Sequence, residues 1–275
     1  MRIDGAVFSI ERRPVGACID LAVVFLRAHF LPVMLLTLIF ALPHCVGTWW
    51  VMTHHDWAFA TCVALFGFVS PFAGASLVAA AGPRLFGDSF SISRSLRLML
   101  RRIVALTLIG LTARVLTYLA TAVLIVPGYL LATRYGFLAE VFLLEQCPLR
   151  KYEARLNDLL SMTYRLQLGR LIGLVAFFTV TVTCLFLLLD AASGTLLGLP
   201  VLLGRFSGLE NLDVELTVFL TEDPLVGTTW IAMMWLVYPL ARLAWMFCYL
   251  DVRIAQEGWD MDLAFRIEAQ RLETA

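Results

Sequence analysis

The chain has 275 residues, 60% hydrophobic and 15% charged, and a mean hydropathy of +0.84. Soluble domains carry about 25% charged residues, so that class is excluded and an integral membrane protein is expected. The 21 basic and 21 acidic side chains cancel to a net charge of zero, which excludes the strongly basic surface that a nucleic-acid partner requires.

The first 29 residues hold no unbroken apolar run ahead of a small-residue cleavage site. No secretory signal is expected, and the mature chain is expected to start here. A spanning helix needs about 20 mostly apolar residues. In chain order the segments that meet or approach this are 30–52, 57–82, 103–126, 129–146, 171–198 and 226–250. The expectation is an all-α integral membrane bundle of six transmembrane helices in three hairpins, with residues 251–275 as a cytoplasmic tail.

Each hairpin is preceded by a segment expected to form an amphipathic helix in the cytoplasmic headgroup layer. The first is Pro14–Ala28. The second, "SISRSLRLMLRR", puts Arg94, Arg97 and Arg101 on one face and Ile92, Leu96 and Met99 on the other, with Arg102 at its end. The third, Arg150–Arg170, sets Tyr152, Leu156, Leu159, Thr163 and Leu166 against Glu153, Asp158 and Arg165. Its basic members are Arg150, Lys151, Arg155, Arg165 and Arg170. Arginines near the surface favour anionic lipid by about 1 kcal/mol each, so anionic membrane lipids are the expected partners of this face.

The first hairpin carries His44, His54, His55 and Asp56 towards its outer end, without the ligand spacing of a metal site; no metal or cofactor is expected. Cys45 and Cys62 flank the same turn, and either a disulfide or two small apolar packers fits their placement. In the second span Ser70/Gly74 and Ala75/Ala79 form a small-residue face that permits close helix contact. Pro71 and Pro239 are expected to kink their helices.

Residues Ile103 to Gln146 as a single helix would run about 66 Å against a hydrocarbon core of about 30 Å. The segment must fold back, and Val126-Pro127-Gly128-Tyr129 reads as a type II turn. Counted outward from that turn, Arg114 and Glu140 fall at nearly equal depth and are expected to pair. Arg134 falls level with Thr121, on the face that also carries Arg114 and Tyr118. A central charge costs about 2.5–3.5 kcal/mol, so these residues and Arg242 are expected to face the bundle interior. A clamp between helices is the plainer role and a polar cavity or anionic-ligand site the sharper one, while Arg242 has the further option of snorkelling to the interface.

Between the fifth and sixth spans, "LDVELTVFL" alternates like a strand but has no visible partner, so a solvated outer loop is expected. After residue 250, Trp259 is a candidate interfacial anchor and 261–272 a short helix. Basic residues concentrate in the segment before the first span and in the loops after the second and fourth, which sets both termini in the cytoplasm.

The run from Pro127 to Val175, with Pro127, Gly128, Arg134 and Glu145, resembles a group of uncharacterised bacterial membrane proteins similar to the membrane domain found beside glycerophosphodiester phosphodiesterases. That group commonly has Arg-Ser in the following helix, where this chain has Asn157–Asp158. "YLDVRIAQEGWD" is similar to the segment that closes many of them, through Tyr249, Asp251, Arg253, Glu257 and Gly258. The resemblance implies a multi-pass protein of the bacterial inner membrane with six helices and no established chemistry. No G-x-S-x-G, H-E-x-x-H, P-loop or dinucleotide fingerprint occurs, so the expected function is non-enzymatic. The expectation is a scaffold or partner subunit for envelope proteins, with a transporter or lipid-handling protein using an arginine-lined interior as the alternative.

Overall fold

The computed structural model describes residues 14–54, 59–85, 89–198, 201 and 222–257. Among these residues every regular element is helical. Ten helices follow one another: α1 (Val15–Ala28), α2 (Phe30–His54), α3 (Phe59–Leu85), α4 (Ile92–Arg101), α5 (Ile103–Val123), α6 (Ile125–Tyr135), α7 (Leu138–Leu143), α8 (Tyr152–Leu160), α9 (Tyr164–Leu197) and α10 (Pro224–Glu257). The strand-like stretch 212–220, Trp259, the 261–272 helix, His55 and Asp56 lie outside the described residues.

Five helices, α2, α3, α5, α9 and α10, are long and apolar enough to cross a membrane. Within their apolar windows α3 and α10 are 61% buried, against 22%, 11% and 17% for α2, α5 and α9. The first two are therefore the central helices and the other three the periphery. On α3 every residue from Ala73 to Gly82 is buried. The outer faces of α2 and α9 instead expose Leu31, Leu42, Val46, Val180 and Leu188. That pattern suits hydrocarbon rather than water as the surrounding medium.

The fourth expected span is not one continuous helix. Residues 129–146 hold the last turns of α6 and the six-residue α7, with a break at Gly136–Phe137. Glycine is a poor helix former, and the missing side chain lets Trp245 of α10 lie on the backbone: a Cβ at 136 would fall 2.6 Å from the indole. The Trp245 indole N–H donates to the Gly136 carbonyl at 2.8 Å, and Phe137 stacks on the same ring at 4.8 Å. Backbone released by a break in hydrocarbon must find a partner, and the indole supplies one.

The Pro127–Gly128 turn is corrected. The chain reverses at Leu124, which is extended (φ −153°, ψ 137°), and Pro127 sits in the first turn of α6. There its missing N–H removes no helical hydrogen bond. Gly128 serves the approach of α6 to α5, since a Cβ at 128 would fall 2.9 Å from Thr121 Cα and nearer still to its side chain. Gly128→Val is expected to destabilise the fold by about 1–3 kcal/mol through forced separation of the two helices. Gly47→Ala, at a site with no atom within 4 Å of the added carbon, is expected to be neutral or mildly stabilising. Unfolding in detergent titrations reads both.

The amphipathic segments are partly redrawn. α4 matches its expected face, burying Met99 and also Ser95, whose hydroxyl donates to Ser76 O on α3 at 2.6 Å. α1 buries Cys18, Ala22 and Phe25 at helical spacing and packs on α10, with Phe25 edge-on to Phe247 at 6.3 Å. The third segment ends early: α8 stops at Leu160, and Arg165 and Arg170 belong to α9. The hydroxyls of Ser161 and Thr163 bond to the carbonyls of Asp158 and Leu159. Such local bonds compete with a continuous helix. At the other end α10 continues through Asp251 to Glu257, so the tail begins later than expected. Helices α3 and α10 run on through Pro71 and Pro239.

Candidate functional site

α10 decides where the intramembrane charges go. Arg242 Nη1 donates to Glu140 Oε1 at 2.6 Å, with the two side chains 11% and 0% exposed. Glu140 therefore pairs with Arg242, and the expected Arg114–Glu140 pair is corrected. Because the segment breaks at Gly136–Phe137, counting residues along an unbroken hairpin no longer sets the height or face of Glu140. The second carboxylate oxygen, Oε2, is buried with no hydrogen-bond partner among the described residues.

The small-residue face of α3 makes room for this pair. A Cβ at Gly74 would fall 2.7 Å from Arg242 Nε and closer to the Tyr238 hydroxyl. Tyr238 in turn donates to Ser70 O at 2.5 Å. Contact within one chain thus accounts for the Ser70/Gly74 spacing.

Arg114 is exposed on α5 and makes no ion pair among the described residues. Tyr118, one turn on, fits its hydroxyl against Gly67 and meets Phe68 edge-on at 5.3 Å. Thr121 donates to Thr117 O at 2.7 Å and packs on Gly128, away from the charges. Arg134 is exposed, its guanidinium 5.6 Å from the Tyr135 ring centre, and the expected contact with Thr121 is not made. Of the six residues expected in one polar network, Arg114, Tyr118 and Arg242 share a wall with one another, and Glu140 stands behind Arg242.

That wall lines a half-open cavity of about 420 Å³ bounded by α3, α5, α6, α7, α9 and α10. Most of its lining is apolar, including Phe66, Phe178 and Met234; among the described residues the charged lining groups are Arg114 and Arg242, with the hydroxyls of Tyr118 and Tyr238 beside them. Leu106 and Gly110, also on the wall, belong to a π-helical turn, Leu106–Gly110, within α5. Widened turns of this kind recur at functional sites. An apolar cleft with a few convergent polar groups is the usual form of a small-molecule site.

A second ionic group closes the end of the bundle nearest α8. Glu145 accepts from Arg155 Nε at 2.5 Å and Nη2 at 3.0 Å, and from the Tyr249 hydroxyl at 2.5 Å, with Arg253 Nε 3.7 Å away. Arg170 Nη2 meets Asp251 Oδ2 at 2.5 Å, the side chains 3% and 9% exposed. Two of the expected lipid-facing cations are thereby corrected: Arg170 is buried in an ion pair and Arg155 is half-buried on Glu145. Arg94, Arg97, Arg101, Arg150, Lys151 and Arg165 are exposed, and half-buried Arg102 reaches Gln146 O at 3.5 Å.

Sequence reasoning passed over Glu145, Asp251 and Tyr238 as site members, although Tyr249, Asp251 and Arg253 had been singled out as a motif. Their spacing carries a usable signal. On a helix, residues four apart share a face and the one between points away, so Tyr249 and Arg253 both reach Glu145 while Asp251 turns to Arg170. Histidine has a plainer use: the Trp235 indole donates to His44 Nδ1 at 3.0 Å, and His54 bonds within its own helix end. Cys45 and Cys62 are free thiols. Among the described residues no group of three potential metal ligands converges. Comparison with family models, with curated proteins and with solved structures returned no match to this chain.

Proposed function

We propose that the protein is a multi-pass protein of a bacterial inner membrane that takes a membrane amphiphile into the cavity between α3, α5, α6, α7, α9 and α10. The observation that carries this reading is a largely apolar cavity lined by two arginines that sit on helices long and apolar enough to cross a membrane. Arg242 lies nine residues from Asp251 along α10, about 13 Å at 1.5 Å per residue, which sets it near the middle of a core about 30 Å thick. In this reading α6, the break and α7 together complete a sixth crossing, giving three hairpins. The exposed arginines of α4 then sit at the cytoplasmic face with both termini, where they recruit anionic lipid.

A scaffold or partner subunit, the reading favoured by the absence of catalytic motifs, requires only a closed bundle. The cavity and its unpaired Arg114 are what that reading leaves without a role, so lipid handling is preferred.

Gly110 offers a direct test, because it lines the cavity and a Cβ added there meets no atom within 4 Å, so a side chain can start from it without a backbone clash. Lipids bearing a photoreactive group on the acyl chain are expected to label cavity residues such as Phe178 and Met234. Gly110→Phe is expected to abolish that labelling by filling the space while leaving the unfolding midpoint unchanged. Labelling confined to the outward residues of α2, such as Leu31 and Leu42, in both proteins would end this reading.

A further inference from the structure

The charges around the cavity do not cancel. Arg114 and Arg242 are the cations on the wall, Glu140 is the carboxylate held by Arg242, and the sum is one positive charge. Glu140 already occupies Arg242 from behind, whereas Arg114 on the opposite helix has no counter-ion among the described residues. An uncompensated cation facing hydrocarbon is costly, and such groups pair or mark a ligand pathway.

We infer that the occupant of this cavity is an amphiphile whose headgroup carries a single negative charge, received by Arg114 with the Tyr118 hydroxyl one turn away, while Glu140 keeps Arg242 engaged. This deepens the lipid-handling reading and rests on it. A zwitterionic headgroup would bring its own cation to a site that is already positive. A doubly charged headgroup would leave one negative charge in excess and compete with Glu140 for Arg242. A neutral amphiphile would leave Arg114 without a partner. Only a monoanion makes the filled cavity electrically neutral without disturbing the Glu140–Arg242 pair, and burial of charge favours neutrality strongly. The apolar lining suits the upper part of an acyl chain.

The experiment uses the full-length protein in nanodiscs with a photoreactive phosphatidylglycerol as the labelled probe. Unlabelled phosphatidylglycerol, phosphatidylethanolamine, diacylglycerol and, at alkaline pH, phosphatidic acid serve as competitors. Phosphatidylglycerol is expected to displace the probe from the cavity walls about tenfold better than the other three, equivalent to ~1.4 kcal/mol. Arg114→Gln is expected to erase the preference and Arg114→Lys to retain it. Arg94→Gln with Arg97→Gln, on the exposed face of α4, is expected to leave it intact, which separates the cavity from surface attraction. Labelling of the cavity with all four competitors equally effective, or with phosphatidic acid the strongest, would overturn the single-charge inference and leave lipid handling standing. Absence of cavity labelling by any lipid would overturn lipid handling itself.

Discussion

Arg242→Met is expected to destabilise the folded protein by about 3–5 kcal/mol, because it strands the fully buried Glu140 without a counter-ion. Glu140 already has one oxygen without a partner, so no second donor stands ready to replace the lost guanidinium. Glu140→Leu combined with Arg242→Met, which removes both charges, is expected to recover most of the loss, since apolar replacement of a whole buried pair is often neutral. Denaturation by sodium dodecyl sulfate from mixed micelles measures the series. A charge exchange gives the sharper result. Glu140→Arg with Arg242→Glu is expected to outperform either single change, whereas Glu140→Arg with Arg114→Glu is expected to bring no recovery. Equal rescue by Arg114→Glu would mean that the pairing described above is wrong.

Glu145→Ala is expected to cost about 2–4 kcal/mol, and its components can be ranked beforehand. The Tyr249 hydroxyl loses its acceptor, and Tyr249 is 0% exposed; a stranded buried donor costs about 1–3 kcal/mol. Arg155 is 28% exposed, so the loss of its ion pair is softened by solvent and adds less than about 1 kcal/mol. Glu145→Gln, which keeps an acceptor for Tyr249, is accordingly expected to be milder than Glu145→Ala, and Arg155→Gln milder still. The same detergent titration checks the order. An Arg155→Gln effect as large as that of Glu145→Ala would assign the stability to the ion pair and not to the phenol.

These two clusters mark where sequence reading reached its limit. The long apolar helices were legible because hydropathy integrated over 20 or more residues reports on medium directly, and the α4 face was legible because Arg94, Arg97 and Arg101 fall on one helical stripe. Depth counting correctly sent Glu140 to an arginine within the bundle but named Arg114, since a hairpin count can see only the adjacent helix. Arg242 lies 102 residues away in sequence, and nothing local announces it. The Pro127–Gly128 pair reads as a turn in isolation. In the fold the proline occupies a first helical turn, where it costs nothing, and the glycine is used for its lack of a side chain against Thr121. The break at Gly136 was hidden for a related reason: one glycine in an apolar run is ordinary until Trp245 arrives from another helix to take its carbonyl.

The two buried acids and the arginine on the long helices also act as a gauge. Arg170 and Asp190 lie twenty residues apart on α9, about 30 Å of helix, which matches the depth of the acyl-chain layer. The first is tied to Asp251 on α10, and the second accepts the backbone N–H of Val201 at 2.7 Å, which holds the chain just past the end of α9 against its last turns. A helix of 34 residues with an apolar stretch of this kind has no unique seat by hydropathy alone and is free to slide. Tied to α10 through Arg170 and Asp251, α9 is expected to answer a thicker or thinner bilayer by tilting together with α10, and the cavity between them would widen or narrow with that tilt.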